Sequence, residues 1–173
     1  MSQHVDFIPN EKFEEGIAIM RRNSKSLIET ASYLYDTKLY LHSAIFSIFA
    51  IEEMAKVLVL KENLIKKKNL TYNEWDKVVK GKAHLSKLRI YFDKLSSNEE
   101  IKKEHPNSNI APATELMELI LDYYLRLKNN VLYVNWDKRL NKWEWFPNHY
   151  KEIDSEMRSK ALLNFARMGF DKL

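Results

Sequence analysis

Apolar residues recur along most of this chain at the three- and four-residue spacing of a helix face, and strict alternation is nearly absent. The first such segment, about Glu11 to Tyr35, carries Phe13, Ile17, Met20, Leu27, Ile28, Ala31 and Leu34 on a broad apolar face. Pro9 precedes it and Asn10 is placed to cap it, while Asn23-Ser24 is expected to loosen its middle. The second segment, about Leu39 to Lys67, is apolar nearly all round: Ala44, Ile45, Phe46, Ile48, Phe49, Ile51, Met54, Val57, Leu58 and Val59. A helix without a polar face belongs at the centre of a bundle. Thr71, with Glu74 three residues on, reads as a capping box opening a short third helix that runs through Val79 and stops at Gly81.

A fourth helix is expected from about Ala83 to Leu95, with Leu85, Leu88, Tyr91, Phe92 and Leu95 inward. Ser96 to Ala111 is polar, contains His105-Pro106-Asn107 and reads as a loop. Pro112 suits the first turn of a fifth helix carrying Leu116, Leu119, Ile120, Tyr123, Tyr124 and Leu127. From Val131 to Phe146 the pattern changes to two short aromatic stretches around a polar Asp137 to Asn141, which fits a small hairpin or an extended flap. Pro147 closes this insertion, and a last helix is expected from about Ile153 to Met168, starting near Asp154 or Ser155 and finishing at Gly169. The expected fold is an all-α bundle of about five to six helices with one aromatic insertion near 131–147. The 173 residues suit one domain, 1–173.

Composition sharpens this picture. Cysteine is absent, which excludes disulfides, thiolate catalysis and a Cys-ligated metal. Three glycines and four prolines are too few for a sheet with many turns. The net charge of +4 is mild, whereas nucleic-acid domains usually carry a denser basic stripe. Lys66-Lys67-Lys68 is concentrated, but a solvated helix end accounts for it. Met1 to Asn10 lacks an apolar secretory region, and Glu52, Glu53 and Lys56 interrupt the greasiest stretch, Ala44 to Leu60. The expectation is a cytoplasmic protein with no membrane span.

Those three charges pose the chemical question. On a helical wheel, at roughly 100° per residue, Glu52 and Lys56 fall beside Ile45, Ile48, Phe49 and Val59, and Glu53 lies near Phe46, Phe49 and Leu60. No rotation exposes all three while burying the rest, and an unpaired buried charge is costly. One solution is a Glu52–Lys56 pair, four residues apart, that plugs the bundle or meets its copy in a dimer. The other is a cleft in which the carboxylates and the ammonium serve binding or chemistry. His84 and Lys87, three apart on the fourth helix, form a second cluster. There the histidine suits acid–base work, or else capping and packing. Gly-rich phosphate loops, Cys/His zinc patterns, nucleophile elbows and EF-hands are absent, and Glu53 is followed at the metal-motif spacing by Lys56, a cation. No metal and no other cofactor is expected.

The core Ala50-Ile51-Glu52-Glu53-Met54-Ala55-Lys56 resembles the A-x-E-E-x-x-K helix of the AbiV family of abortive-infection proteins. His84-x-x-Lys87 resembles that family's H-x-x-K, and Leu132-Tyr133-Val134 its L-Y-V-D segment, with Asn135 where the family tends to have Asp. Trp143 or Trp145, Pro147 and Ile153-Asp154-Ser155-Glu156 fit the family's tail. The resemblance implies a helical bundle of the HEPN group, often dimeric, and a bacterial phage-defence role exerted by shutting down the infected cell. It also implies the possibility open to that group of metal-independent ribonuclease activity, with Glu52, Glu53, Lys56, His84 and Lys87 as the catalytic residues. The group's ribonuclease hallmark, Arg followed after four to six residues by His, is missing from the chain. The partners so implied are a second copy and RNA or the translation machinery. The rival expectation is a non-catalytic dimer that binds a phage protein or a translation component through Tyr133, Trp136, Trp143 and Trp145. Trp and Tyr anchor interfaces, although core packing explains the same aromatics.

Overall fold

A computed structural model describes residues 7–79, 83–104, 135–137, 142–144 and 152–173. In chain order its elements are β1 (Phe7–Ile8), a 3-10 turn (Asn10–Lys12), α1 (Phe13–Asp36), α2 (Tyr40–Ile65), β2 (Leu70–Thr71), α3 (Tyr72–Val79), α4 (Ala83–Ser97) and α5 (Glu99–Glu104). The strands β3 (Asn135–Asp137) and β4 (Lys142–Glu144) follow, and then helix α6 (Glu152–Lys172). The fold is the expected all-α bundle. α2 is its central rod, with α1, α4 and α6 packed around it. Ala44, Ile45, Ile48, Ile51, Met54 and Val57 of α2 are buried with Leu88, Tyr91, Phe92 and Leu95 of α4 and Leu162 and Ala166 of α6. Transfer of this apolar surface out of water is the main driving force for the assembly.

A smaller core of Phe13, Leu60 and Leu70, with Trp75 against it, joins α1, the end of α2 and α3. β1 closes it by pairing antiparallel with β2, Ile8 opposite Leu70. Both α1 and α2 end on a lysine in the left-handed region, Lys38 at φ 63° and Lys67 at φ 50°. Past each of them, Leu39 N–H donates to Leu34 O and Lys68 N–H donates to Asn63 O, the wrapped helix ending that glycine usually occupies. Lys66 and Lys68 pair with Glu62 and Glu74, so the lysine run is a solvated helix end as expected. The capping box is also present: Thr71 N–H donates to Glu74 Oε2 at 2.9 Å, and Glu74 N–H donates to Thr71 Oγ1 at 3.2 Å.

Several expectations are corrected. Asn10 does not cap α1, because the 3-10 turn comes first and the backbone N–H of Asn10 donates to Asn69 Oδ1 at 3.1 Å. Asn23-Ser24 does not loosen α1; the Ser24 hydroxyl is fully buried and donates to Ala50 O at 3.2 Å. The loop expected from Ser96 begins instead with the last turn of α4 and then α5, which Asn98 caps by accepting the Glu100 N–H at 2.9 Å. α6 starts at Glu152 and runs through Gly169 rather than stopping there. A Cβ on Gly169 would stand 1.8 Å from Tyr91 Oη, so this glycine admits a ring instead of ending a helix.

The aromatic insertion contains the hairpin. β3 and β4 pair antiparallel with Trp136 opposite Trp143. Tyr133, Trp145, Gly81, the helix expected at 112–127 and the remainder of 105–134 lie outside the described residues.

Candidate functional site

The charged turn of α2 sits where the bundle is most apolar. Glu52 faces α4, and its Oε2 lies 2.7 Å from Lys87 Nζ, with the two side chains only 8% and 6% exposed. Lys87 belongs to the inward row of α4, beside Leu88 and one turn ahead of Tyr91, which brings a lysine to the level of α2 that carries the buried acid Glu52. Each charge offsets the other's desolvation, and neither could be buried alone without a large penalty. Glu53 and Lys56 form a separate ion pair along α2, three residues apart, with side chains 18% and 17% exposed. The Glu52–Lys56 pairing, one of the two solutions open from the sequence, is therefore not formed. Each glutamate has its own lysine, one borrowed from α4.

Of the five candidate residues, four are thus gathered at one turn of α2 and its contact with α4. The fifth, His84, lies on the backbone of α4 three residues before Lys87. The strand backbone places Trp136 and Trp143 opposite each other. A hollow of about 440 Å³ lies on α1, lined by Ile19, Arg22, Asn23 and Ser26, and none of the five candidate residues lines it. Among the described residues no three His, Asp or Glu side chains are grouped to hold a metal ion, and no helix is long and apolar enough to cross a membrane.

A second polar junction fastens the end of α6. Arg21 Nη2 donates to Phe170 O at 2.9 Å, and its guanidinium carbon stands 4.7 Å from the centre of the Phe170 ring. Lys61 hydrogen-bonds Leu173 O. Burial, and then the charge of Arg21, lowers the Lys61 pKa. These cations meet carbonyls at a helix C-terminus, where the dipole favours them. Their work is anchoring.

The chemistry available at the charged turn follows from access. The Glu52–Lys87 pair is shut away from water and can orient its neighbours, but a large substrate does not reach it in this arrangement. Glu53 and Lys56 are the partly open pair, able to exchange one partner for another. Sequence reading missed Ser24, whose hydroxyl reaches the same turn of α2 from α1. A signal was present: Ser24 interrupts the row Ile17, Met20, Leu27 and Ala31 at the position where an apolar residue belongs.

Comparison with known proteins fits this architecture. The HEPN family model described as AbiV matches residues 12–167, most of the chain. No curated protein and no solved structure matches it.

Proposed function

The chain belongs to the AbiV family of HEPN proteins, a membership that points to abortive infection, and from that premise we propose that it arrests a phage-infected bacterial cell by cleaving RNA without a metal ion. The supporting observation is the Glu52–Lys87 pair, which ties the turn of α2 bearing Glu53 and Lys56 to the helix bearing His84. In the proposed reaction a ribose 2′-hydroxyl oxygen bonds to the adjacent phosphorus and the bond from phosphorus to the 5′-oxygen breaks. His84 takes the hydroxyl proton and returns a proton to the leaving oxygen. Lys56, the more accessible of the two lysines, leaves Glu53 to meet the charge that builds on the phosphate. Glu52 and Lys87 hold the two helices in register. The target is RNA, free or within the translation machinery, and the acting form is a homodimer.

One observation favours a non-catalytic reading. Both glutamates are already neutralised by lysines, and no arginine stands four to six residues ahead of His84. In that case the dimer binds a phage protein or a translation component through the segment carrying Tyr133, Trp136, Trp143 and Trp145.

The test uses purified protein, total RNA and EDTA, beside a His84→Ala variant. Cleavage by the parent and not by the variant is the expected result. If neither cleaves while both still arrest growth when expressed, the nuclease reading is lost and the binding reading stands.

A further inference from the structure

Two buried polar ties converge on a single turn of the central helix. From one side Lys87 of α4 meets Glu52 at 2.7 Å. From another, Ser24 of α1 donates its hydroxyl proton to the carbonyl of Ala50 at 3.2 Å, with Ser24 fully buried and Ala50 1% exposed. The Ala50 carbonyl is also the helical acceptor for the N–H of Met54, so this one oxygen begins the turn that contains both glutamates. A dry hydroxyl with a single acceptor has a narrow choice of geometry, and losing the bond leaves a buried donor or acceptor unpaired. The hydrogen bond to one named carbonyl adds a directional constraint on axial position to the apolar packing of α1 on α2.

We infer that Ser24 is a positioning residue for the charged turn: its bond to Ala50 sets the axial register of α2 in the bundle and so brings Glu52 level with Lys87. It acts on the site through the α2 backbone and touches no substrate. As a positioning role for function, this rests on the reading of the charged turn as the working site. The geometric claim stands by itself. Thr30 and Ser32 of α1, and Thr37 just past its end, bond carbonyls of α1 itself, and Ser32 also accepts from Arg167 of α6, so none of them reaches α2 in this way.

The test reads Lys87 directly. In full-length protein labelled with ¹⁵N-lysine, a buried, ion-paired ammonium gives a slowly exchanging side-chain NMR signal, whereas exposed lysines such as Lys12 and Lys25 do not. Ser24→Ala is expected to speed hydrogen exchange at Lys87 at least tenfold or to erase its signal. Ser24→Thr, which keeps the hydroxyl, is expected to restore slow exchange. Ile17→Val, a packing change on the same helix, serves as the control and should lower the melting temperature without touching that signal. Should Ser24→Ala fail to fold, Ser24→Cys, close in volume and a poor donor, takes its place. An unchanged Lys87 signal in a folded Ser24→Ala or Ser24→Cys protein overturns the inference. A lost signal with growth arrest fully retained upholds the positioning and instead sinks the reading of this turn as the working site.

Discussion

Lys87 and Glu52 face each other across the contact of α4 with α2, 2.7 Å apart and almost wholly shielded from water. A pair so placed separates structural worth from functional worth. Removing one partner, as in Lys87→Met, takes the buried ammonium away from a buried carboxylate and should destabilise the fold by about 3–5 kcal/mol. Replacing both, as in Glu52→Leu with Lys87→Met, should recover most of that loss in urea unfolding, because apolar residues of similar volume pack without a desolvation cost. Growth arrest should vanish in the double variant even where stability returns. A stable and fully active double variant would reduce the pair to a packing device.

Gly169 makes a sharper test of packing. With a Cβ placed 1.8 Å from Tyr91 Oη and 2.3 Å from Cζ, Gly169→Ala forces the buried ring or α6 to move. The Tyr91 hydroxyl also donates to Phe165 O, a bond this movement breaks. A loss of about 1–3 kcal/mol is expected from overpacking, together with a changed near-ultraviolet circular dichroism signal from Tyr91. Wild-type stability in Gly169→Ala would show that α6 does not approach α4 this closely.

The cap of α3 predicts a pH dependence. The Lys68 ammonium, then the Thr71 N–H and hydroxyl, hold the Glu74 pKa down from 4.5 to about 2. Because the folded value is depressed, the stabilisation is complete above the ordinary value and disappears as pH falls through the folded one. A Glu74→Gln variant should therefore melt below the parent at neutral pH, and the gap should close as pH approaches 2. A carbon NMR titration of Glu74 with a midpoint near 4.5 would contradict the cap.

The two left-handed lysines offer a gain. A residue with a Cβ pays roughly 1–2 kcal/mol in this conformation, and glycine avoids most of it at some cost in unfolded-state entropy. Lys67 sits at φ 50° with its side chain exposed, so Lys67→Gly should stabilise the protein by about 0.5–1 kcal/mol. Thermal unfolding checks it; a lower melting temperature would mean that the Lys67 side chain contributes something the geometry does not reveal.

What could be read from the sequence was local. The bounds of α2, its place at the centre, and the Thr71–Glu74 cap all follow from patterns within a few residues. So did the burial problem of Glu52, since an apolar rod cannot hide a charge from its own surroundings. Its solution was not legible, because Lys56 is near in sequence while Lys87 is near only once α4 has packed. Gly169 and Ser24 were misread for the same reason. A mid-helix glycine or serine looks like a weakness until the ring of Tyr91 or the carbonyl of Ala50 stands beside it. α5 was missed because its apolar content is low, and the signal that did exist, Asn98 ahead of Glu99 and Glu100, is a short one.

The joining of α1 and α2 by a three-residue turn at Thr37–Leu39 has a consequence for biosynthesis. Neighbouring antiparallel helices can dock as soon as both have left the ribosome, so the hairpin is available early and α1 can shelter one side of the greasy rod. The side bearing Glu52 must wait for α4, and the flank closed by Leu162 and Ala166 must wait for α6. Until then the nascent chain carries an exposed oily strip with an acid in its midst, a feature that discourages wrong partners while the right one is still being made.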